Sequence, residues 1–99
     1  MDNSWVPDGF VRYDGQFAIN WSLPDTCRSY RLCINLEVVP RNGCDRLYAA
    51  ASELDVNGNN IGYTNDSTLN VKAGQKAILT FKTYDDDVRD FDLAEISCY

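Results

Sequence analysis

Short runs in which apolar and polar residues alternate follow one another along this chain. Apolar side chains recur at every second position at Phe17, Ile19 and Trp21, then at Ile34, Leu36 and Val38, and later at Ala77, Leu79 and Phe81. Successive side chains of a β-strand point to opposite faces, so this two-residue period predicts strands that bury one face. We therefore expect an all-β protein.

Turn-forming residues separate the runs. Two Asp-Gly steps interrupt the first third of the chain, and residues 56–60 contain Asn57-Gly58 between two extended runs. Such steps tolerate the positive φ of tight turns, so the two flanking runs are predicted to form a hairpin. A further turn is predicted at Asn65-Asp66-Ser67. About seven short strands at this spacing indicate an antiparallel β-sandwich in a single domain, residues 1–99.

The alternation predicts the inward face less clearly in two runs. In the run 47–54 both faces are apolar or small, because Leu47, Ala49 and Ala51 alternate with Tyr48, Ala50 and Leu54. Alanine, leucine and glutamate also favour helices, so a helix over residues 45–54 is an alternative. In the last run, Ala94, Ile96 and Cys98 are predicted to share the inward face.

The four cysteines are expected to form two disulfides. Their spacing contains no Cys-x-x-Cys pair of the kind found in zinc sites, and the chain has no histidine. Of the possible pairings we favour Cys27 with Cys33 and Cys44 with Cys98. The alternation places Cys33 on the solvent side of its strand, within reach of a surface loop. Persistent disulfides indicate an oxidising compartment, so a secreted, periplasmic or cell-surface location is predicted.

The charge of the chain limits its partners. Fifteen acidic residues against nine basic ones give a formal net charge of −6 at pH 7. Such a surface repels phosphate backbones and anionic headgroups, which argues against nucleic acid or a membrane surface as a partner. No apolar run approaches the ~18 residues of a membrane span. The first residues contain neither a basic nor an apolar stretch, so a signal peptide is expected to be absent from this sequence.

A pattern of turn residues gives the chain a family likeness. It consists of Leu54-Asp55-x-x-Gly58-x-x-Ile61-Gly62, then Leu69-x-Val71-x-Ala73-Gly74-Gln75-x-Ala77, and Phe81. This pattern resembles the FxLyD-type domain of bacterial and archaeal secreted proteins. The ending Ile96-x-Cys98-Tyr99, together with the other cysteines, is similar to a cysteine-containing actinobacterial branch of small secreted domains. The resemblance implies an immunoglobulin-like β-sandwich of bacterial origin over about residues 32–99, and it implies no activity and no functional residue.

No residue set in the sequence predicts catalysis. The absence of histidine removes Ser-His and Cys-His nucleophile pairs. A sandwich of this size also has little room for a cleft between paired carboxylates, as in glycosidases. We therefore expect a non-catalytic module without a cofactor, and a protein or a glycan at the cell surface as its partner.

Two groups of residues are candidates for ligand binding. Trp5, Tyr13 and Tyr30 come from an aromatic-rich first third and could stack on a glycan or a protein. Asp85, Asp86 and Asp87 form a run of carboxylates that could hold calcium, or a solvated loop that keeps a sheet edge from pairing. The leading expectation is a structural or protein-interaction module. A carbohydrate-binding module and a calcium-dependent adhesive domain are the alternatives.

Overall fold

The computed structural model describes residues 3–28 and 30–99, and its regular structure is β-strand throughout. The strands are β1 (Val11–Arg12), β2 (Phe17–Ser22), β3 (Leu32–Pro40), β4 (Cys44–Leu54), β5 (Asn60–Val71), β6 (Ala77–Thr83) and β7 (Asp90–Cys98). One antiparallel sheet has the order β1-β2-β3-β6 and the other the order β5-β4-β7. The predicted all-β sandwich is confirmed. Within the described ranges, no helix is long and apolar enough to cross a membrane.

The strand order follows that of an immunoglobulin sandwich. In that fold one sheet contains strands A, B and E, and the other contains C′, C, F and G. Here β2, β3 and β6 take the places of A, B and E, while β5, β4 and β7 take those of C′, C and F. Among the described residues no strand takes the place of G, so β7 is an edge strand.

The core lies between the two sheets. The first sheet contributes Phe17, Ile19, Leu36, Val38, Leu79 and Phe81, and the second contributes Leu47, Ala49, Ala51 and Phe91. The rings of Phe81 and Phe91 have centroids 6.3 Å apart. Small alanines on β4 leave room for these rings, so large and small side chains complement each other across the core.

The position of β4 in its sheet decides the two questions that its sequence leaves open. β4 pairs with β5 on one side and with β7 on the other, so the helical alternative for residues 45–54 is wrong. The side chains of Leu47, Ala49 and Ala51 are each 0 % exposed and form the inward face. Tyr48 lies on the opposite face and is half-buried.

The turn predicted at Asn65-Asp66-Ser67 is wrong, because these residues lie inside β5. β5 is an edge strand whose polar side chains reach the edge of β6 in the other sheet. Asp66 Oδ2 accepts a hydrogen bond from the backbone N–H of Thr80 at 2.9 Å, and Thr64 Oγ1 donates to the carbonyl of Lys82 at 3.5 Å. Of the three residues that suggest a turn, Asp66 binds the edge of β6, and with Thr64 it closes this side of the sandwich.

A β-bulge in β7 changes which of its residues face the core. The register with β4 skips Ala94, which is the extra residue of the bulge and is exposed. Phe91 and Leu93 pack on the core before the bulge, and Ile96 does so after it. The prediction that Ala94, Ile96 and Cys98 share one face is therefore wrong for Ala94, because the bulge shifts the alternation by one residue.

Both predicted disulfides are present. Cys27–Cys33 closes the loop between β2 and β3, and Cys44–Cys98 links the start of β4 to the end of β7. The exposures differ from those expected. Cys33 is only 6 % exposed, because the loop to which it is bonded covers it, whereas Cys98 is exposed.

Candidate functional site

The strand register defines two ends of the sandwich, over which the candidate residues are divided. We call the end with loops 23–31, 55–59 and 84–89 the upper end. The lower end carries loops 13–16, 41–43 and 72–76. β3 has nine residues and runs from the upper to the lower end, a distance of about 30 Å at ~3.3 Å per residue.

Two tyrosines stack at the upper end. Tyr30 and Tyr84 have ring centroids 4.4 Å apart with 28° between their planes. Lys82 places Nζ 5.1 Å from the centroid of the Tyr30 ring. Tyr30 is half-buried, whereas Tyr84 is 65 % exposed. Tyr84 therefore presents the accessible aromatic surface, and Tyr30 supports it.

The other two candidate aromatics lie at the lower end. The Arg41 guanidinium is 5.6 Å from the centroid of the Trp5 ring, and Trp5 Nε1 is buried without a hydrogen-bond partner among the described residues. The backbone N–H of Tyr13 donates to the carbonyl of Phe17, the first residue of β2, at 2.8 Å. The structure does not bring Tyr30 together with Trp5 and Tyr13. Their part in ligand binding stays a prediction, and it cannot be that of one shared platform.

The aspartates of the acidic loop between β6 and β7 form contacts within the upper end. Asp85 Oδ1 accepts the backbone N–H of Asp87 at 2.9 Å. Asp86 Oδ1 lies 3.6 Å from Arg31 Nε in an exposed ion pair. Within residues 3–28 and 30–99, no group of three or more acidic or cysteine side chains is arranged to hold a metal ion. The calcium hypothesis therefore gains no support from the geometry of Asp85, Asp86 and Asp87.

A cleft of about 290 Å³ lies beside the acidic loop. Asp55 and Arg89 line it together with two carboxylates of that loop. Asp55 Oδ1 accepts the backbone N–H groups of Asn59 and Asn57, each at 2.9 Å. The bond from Asn59, and then that from Asn57, lowers the pKa of Asp55 below its usual value. This carboxylate is engaged in holding the β4–β5 turn.

A separate carboxylate network lies on the outer face of the first sheet. Asn20 Nδ2 donates to Glu37 Oε1 at 3.0 Å, and Ser22 Oγ donates to Glu37 Oε2 at 3.4 Å. Lys76 Nζ lies 3.7 Å from Glu37 Oε2. The hydrogen bond from Asn20, followed by the charge of Lys76, lowers the pKa of Glu37. These partners link β2 and β3, which gives the network a structural role.

A larger groove, of about 410 Å³, opens at the lower end on the side of β7. Its apolar lining residues include Phe17, Pro40 and Ile96, and its polar lining residues include Gln16, Asn42 and Ser97. Asn42 Nδ2 donates to Gln16 Oε1 at 3.0 Å, which joins the two lower loops into one wall. An apolar lining with a few polar groups is typical of a binding site.

The groove lies directly beside the free edge of β7. Arg46 of β4 and Tyr99 exchange both backbone hydrogen bonds, at 2.9 and 3.1 Å. Bonded and non-bonded pairs alternate in an antiparallel ladder, so Ser97 also bonds to β4. Ile96 and Cys98 therefore direct their backbone N–H and C=O groups away from β4. Unpaired backbone groups and an apolar groove meet at the same place.

Sequence reasoning missed both Tyr84 and the groove. Tyr84 follows β6 directly, and its contact with Tyr30 depends on two loops that are distant in the chain. Phe17, Pro40 and Ile96 come from three strands of two sheets. Local alternation relates none of these residues. Only the strand order could have shown that they meet.

Comparison with protein-family models, with curated proteins and with solved structures finds no match to this chain. The resemblance to the FxLyD-type domain therefore stays a prediction from the sequence.

Proposed function

We propose that this chain is a non-catalytic module of a secreted or cell-surface protein and that it binds a protein partner. The observation that carries the proposal is the apolar groove beside the unpaired edge of β7. Main-chain groups at a sheet edge supply affinity for another chain, and a neighbouring pocket supplies selectivity for its side chains.

The cross-links support the extracellular part of the proposal. All four cysteines are paired, and disulfides persist in oxidising compartments. One bridge joins β4 to β7 next to the groove, so it holds the edge strand in place. A fixed edge binds with a smaller loss of conformational entropy than a mobile one.

The side chains that line the groove and the upper cleft favour binding over catalysis. The residues that line the groove include no carboxylate, amine or imidazole side chain, and the hydroxyl of Ser97 donates to Glu95 on the outward face of β7. In the upper cleft, Asp55 and Asp85 accept backbone hydrogen bonds that shape their own loops. In neither place do the lining residues themselves include both a hydroxyl nucleophile and a base that could activate it.

Selection from a random peptide library displayed on phage tests this function without assuming a site. We expect the oxidised protein to enrich a convergent set of sequences, and the same protein after reduction and alkylation to lose that enrichment. Absence of any convergent set on the oxidised protein would contradict a protein-binding role.

Carbohydrate binding is a second candidate, because Tyr84 presents an exposed ring supported by Tyr30. A flat aromatic surface of this kind can stack on a sugar ring. Titration of a glycan panel, followed by intrinsic fluorescence, tests the idea, with Tyr84→Ala as the variant that should lose the response. Absence of a response across the panel would remove this candidate.

A further inference from the structure

The two open sides of the sandwich differ in whether side chains bind the backbone at the sheet edge. On the side of β5 and β6, Asp66 and Thr64 bind the backbone of β6 and block its edge. On the side of β7, Ile96 and Cys98 point backbone groups outward, and no side chain of the described residues is seen to bind them. A bulge at Ala94 and the charged side chains of Asp90 and Asp92 protect the first part of this edge, so the stretch 95–98 next to the groove is the part that remains available for pairing.

The bulge at Ala94 limits where a strand can be added. A bulge disrupts the regular ladder, so continuous pairing is available on its C-terminal side, at residues 95–98. This is the stretch that borders the groove. A strand added here takes the place that strand G has beside strand F in the immunoglobulin fold. Alternate side chains of the added strand would enter the groove over Phe17 and Pro40.

The other side chains of an added strand would lie beside the outward face of β7. That face carries Asp90, Asp92 and Glu95, all exposed, of which Glu95 lies within the stretch 95–98, and β7 contains no lysine or arginine. Opposite charges across neighbouring strands attract and like charges repel. The outward positions of the added strand should therefore be basic, while its inward positions should be apolar.

The same charges argue against a second copy of this chain as the occupant. Pairing of β7 with β7 would bring the acidic faces of two strands together, in a protein whose net charge is −6. The repulsion adds to the cost of association. A partner with a basic and apolar alternation does not meet this cost.

We propose that β7 accepts, by strand addition at Ile96 and Cys98, an extended segment of a partner protein in which apolar and basic residues alternate. The apolar side chains occupy the groove, and a basic side chain lies beside Glu95, the carboxylate of the stretch 95–98. This inference rests on the proposed protein-binding function and names the site and the class of partner.

Synthetic peptides provide the probe. The test peptide is as long as β7 and alternates lysine with valine, and fluorescence anisotropy of a labelled copy gives its affinity. One control peptide has the same composition in two blocks, so it keeps the charge without the alternation. A second control replaces lysine by glutamate. The oxidised protein should bind the alternating basic peptide at least about tenfold more tightly than either control.

Two proline variants test the site. Ile96→Pro removes the outward N–H of β7 and should weaken peptide binding at least about tenfold. Ile78→Pro is the matched control, because Ile78 is half-exposed on β6 and its N–H also points away from its sheet. It should leave the affinity unchanged. Circular dichroism and the denaturation midpoint verify that each variant is folded.

A charge exchange tests the occupant. Glu95→Lys should weaken binding of the lysine peptide about threefold and strengthen binding of the glutamate peptide, a change of preference that a loss of stability cannot produce. Equal binding of the peptide to Ile96→Pro and to the unchanged protein would overturn the proposed site. Dimerisation of the protein through β7, seen by sedimentation, would overturn the proposed occupant.

The phage selection distinguishes a failure of strand addition at β7 from a failure of the proposed protein-binding function. If selected peptides bind but the alternating basic peptide does not, strand addition at β7 is refuted while the protein-binding function stands. If neither binds, both are refuted.

Discussion

The two disulfides should contribute unequally to stability. A cross-link mainly restricts the unfolded chain, and its effect grows with the length of the closed loop. The cysteines of Cys44–Cys98 are separated by 54 residues and those of Cys27–Cys33 by 6. On the loop-entropy relation the long closure contributes about 4 kcal/mol and the short one about 2 kcal/mol. In guanidinium chloride, with an m-value of about 2 kcal/mol/M, these correspond to midpoint changes of about 2 M and 1 M.

Two double variants isolate one bridge each. Cys27→Ala/Cys33→Ala retains only Cys44–Cys98, and Cys44→Ala/Cys98→Ala retains only Cys27–Cys33. Equilibrium unfolding of each variant before and after reduction gives the contribution of its remaining bridge, and every variant is its own control for packing changes. Reduction should lower the midpoint of the first variant about twice as much as that of the second. Equal losses, or a larger loss in the second variant, would refute the loop-length reasoning.

Hydrogen-bonded carboxylates give three further tests. Asp66→Ala leaves the N–H of Thr80 without its acceptor and should cost about 1–2 kcal/mol in equilibrium unfolding; no loss would show that this contact does not hold the edge of β6. Because the folded-state pKa of Glu37 lies below 4.5, the stability that this carboxylate contributes is present above about that pH and is lost in acid. Glu37→Gln should therefore flatten the fall in the free energy of unfolding from about pH 5 to pH 3. An unchanged acid profile would count against the network. Since Asp55 and Asp85 already accept backbone hydrogen bonds, millimolar calcium or EDTA should move Tm by less than about 1 °C, against a rise of several degrees for a calcium site.

Much of the fold could be derived from local rules. The alternation correctly assigns the inward faces of β2, β3 and β6, and the Asn57-Gly58 step correctly marks the β4–β5 hairpin. The cysteine pairing is also correct. The strand faces depend on the two-residue period and the hairpin depends on its turn residues, and both can be recognised in short stretches of sequence. The cysteine pairing follows from the strand faces and from the positions of the cysteines in the chain.

The errors arise where a distant element decides the local structure. The residues of Asn65-Asp66-Ser67 favour turns, but all three pair with β4 and the Asp66 carboxylate also accepts the N–H of Thr80 in β6, so the segment is extended. Ala94 leaves the inward face because β4 and β7 are joined across a bulge, which no alternation reveals. The face of β4 could not be assigned because small residues occupy both sides, and only its central position in the sheet settles the question.

The candidate site is the feature that the sequence predicts least well. The aromatic residues of the first third are distributed over both ends of the sandwich, although they are close in the chain. The groove combines residues from the beginning, the middle and the end of the chain. A binding surface built at the meeting of two sheets becomes visible only when the order of the strands is known.

Amide hydrogen exchange of the isotope-labelled protein, measured by NMR with and without the alternating basic peptide, tests the central claim most directly. Ile96 and Cys98 have free outward N–H groups in the unbound protein and gain partners when a strand is added, so their exchange should slow markedly in the complex. The N–H of Thr80, already bonded to Asp66, should change little and is the internal reference. Unchanged exchange at Ile96 and Cys98 in the presence of saturating peptide would contradict strand addition at β7.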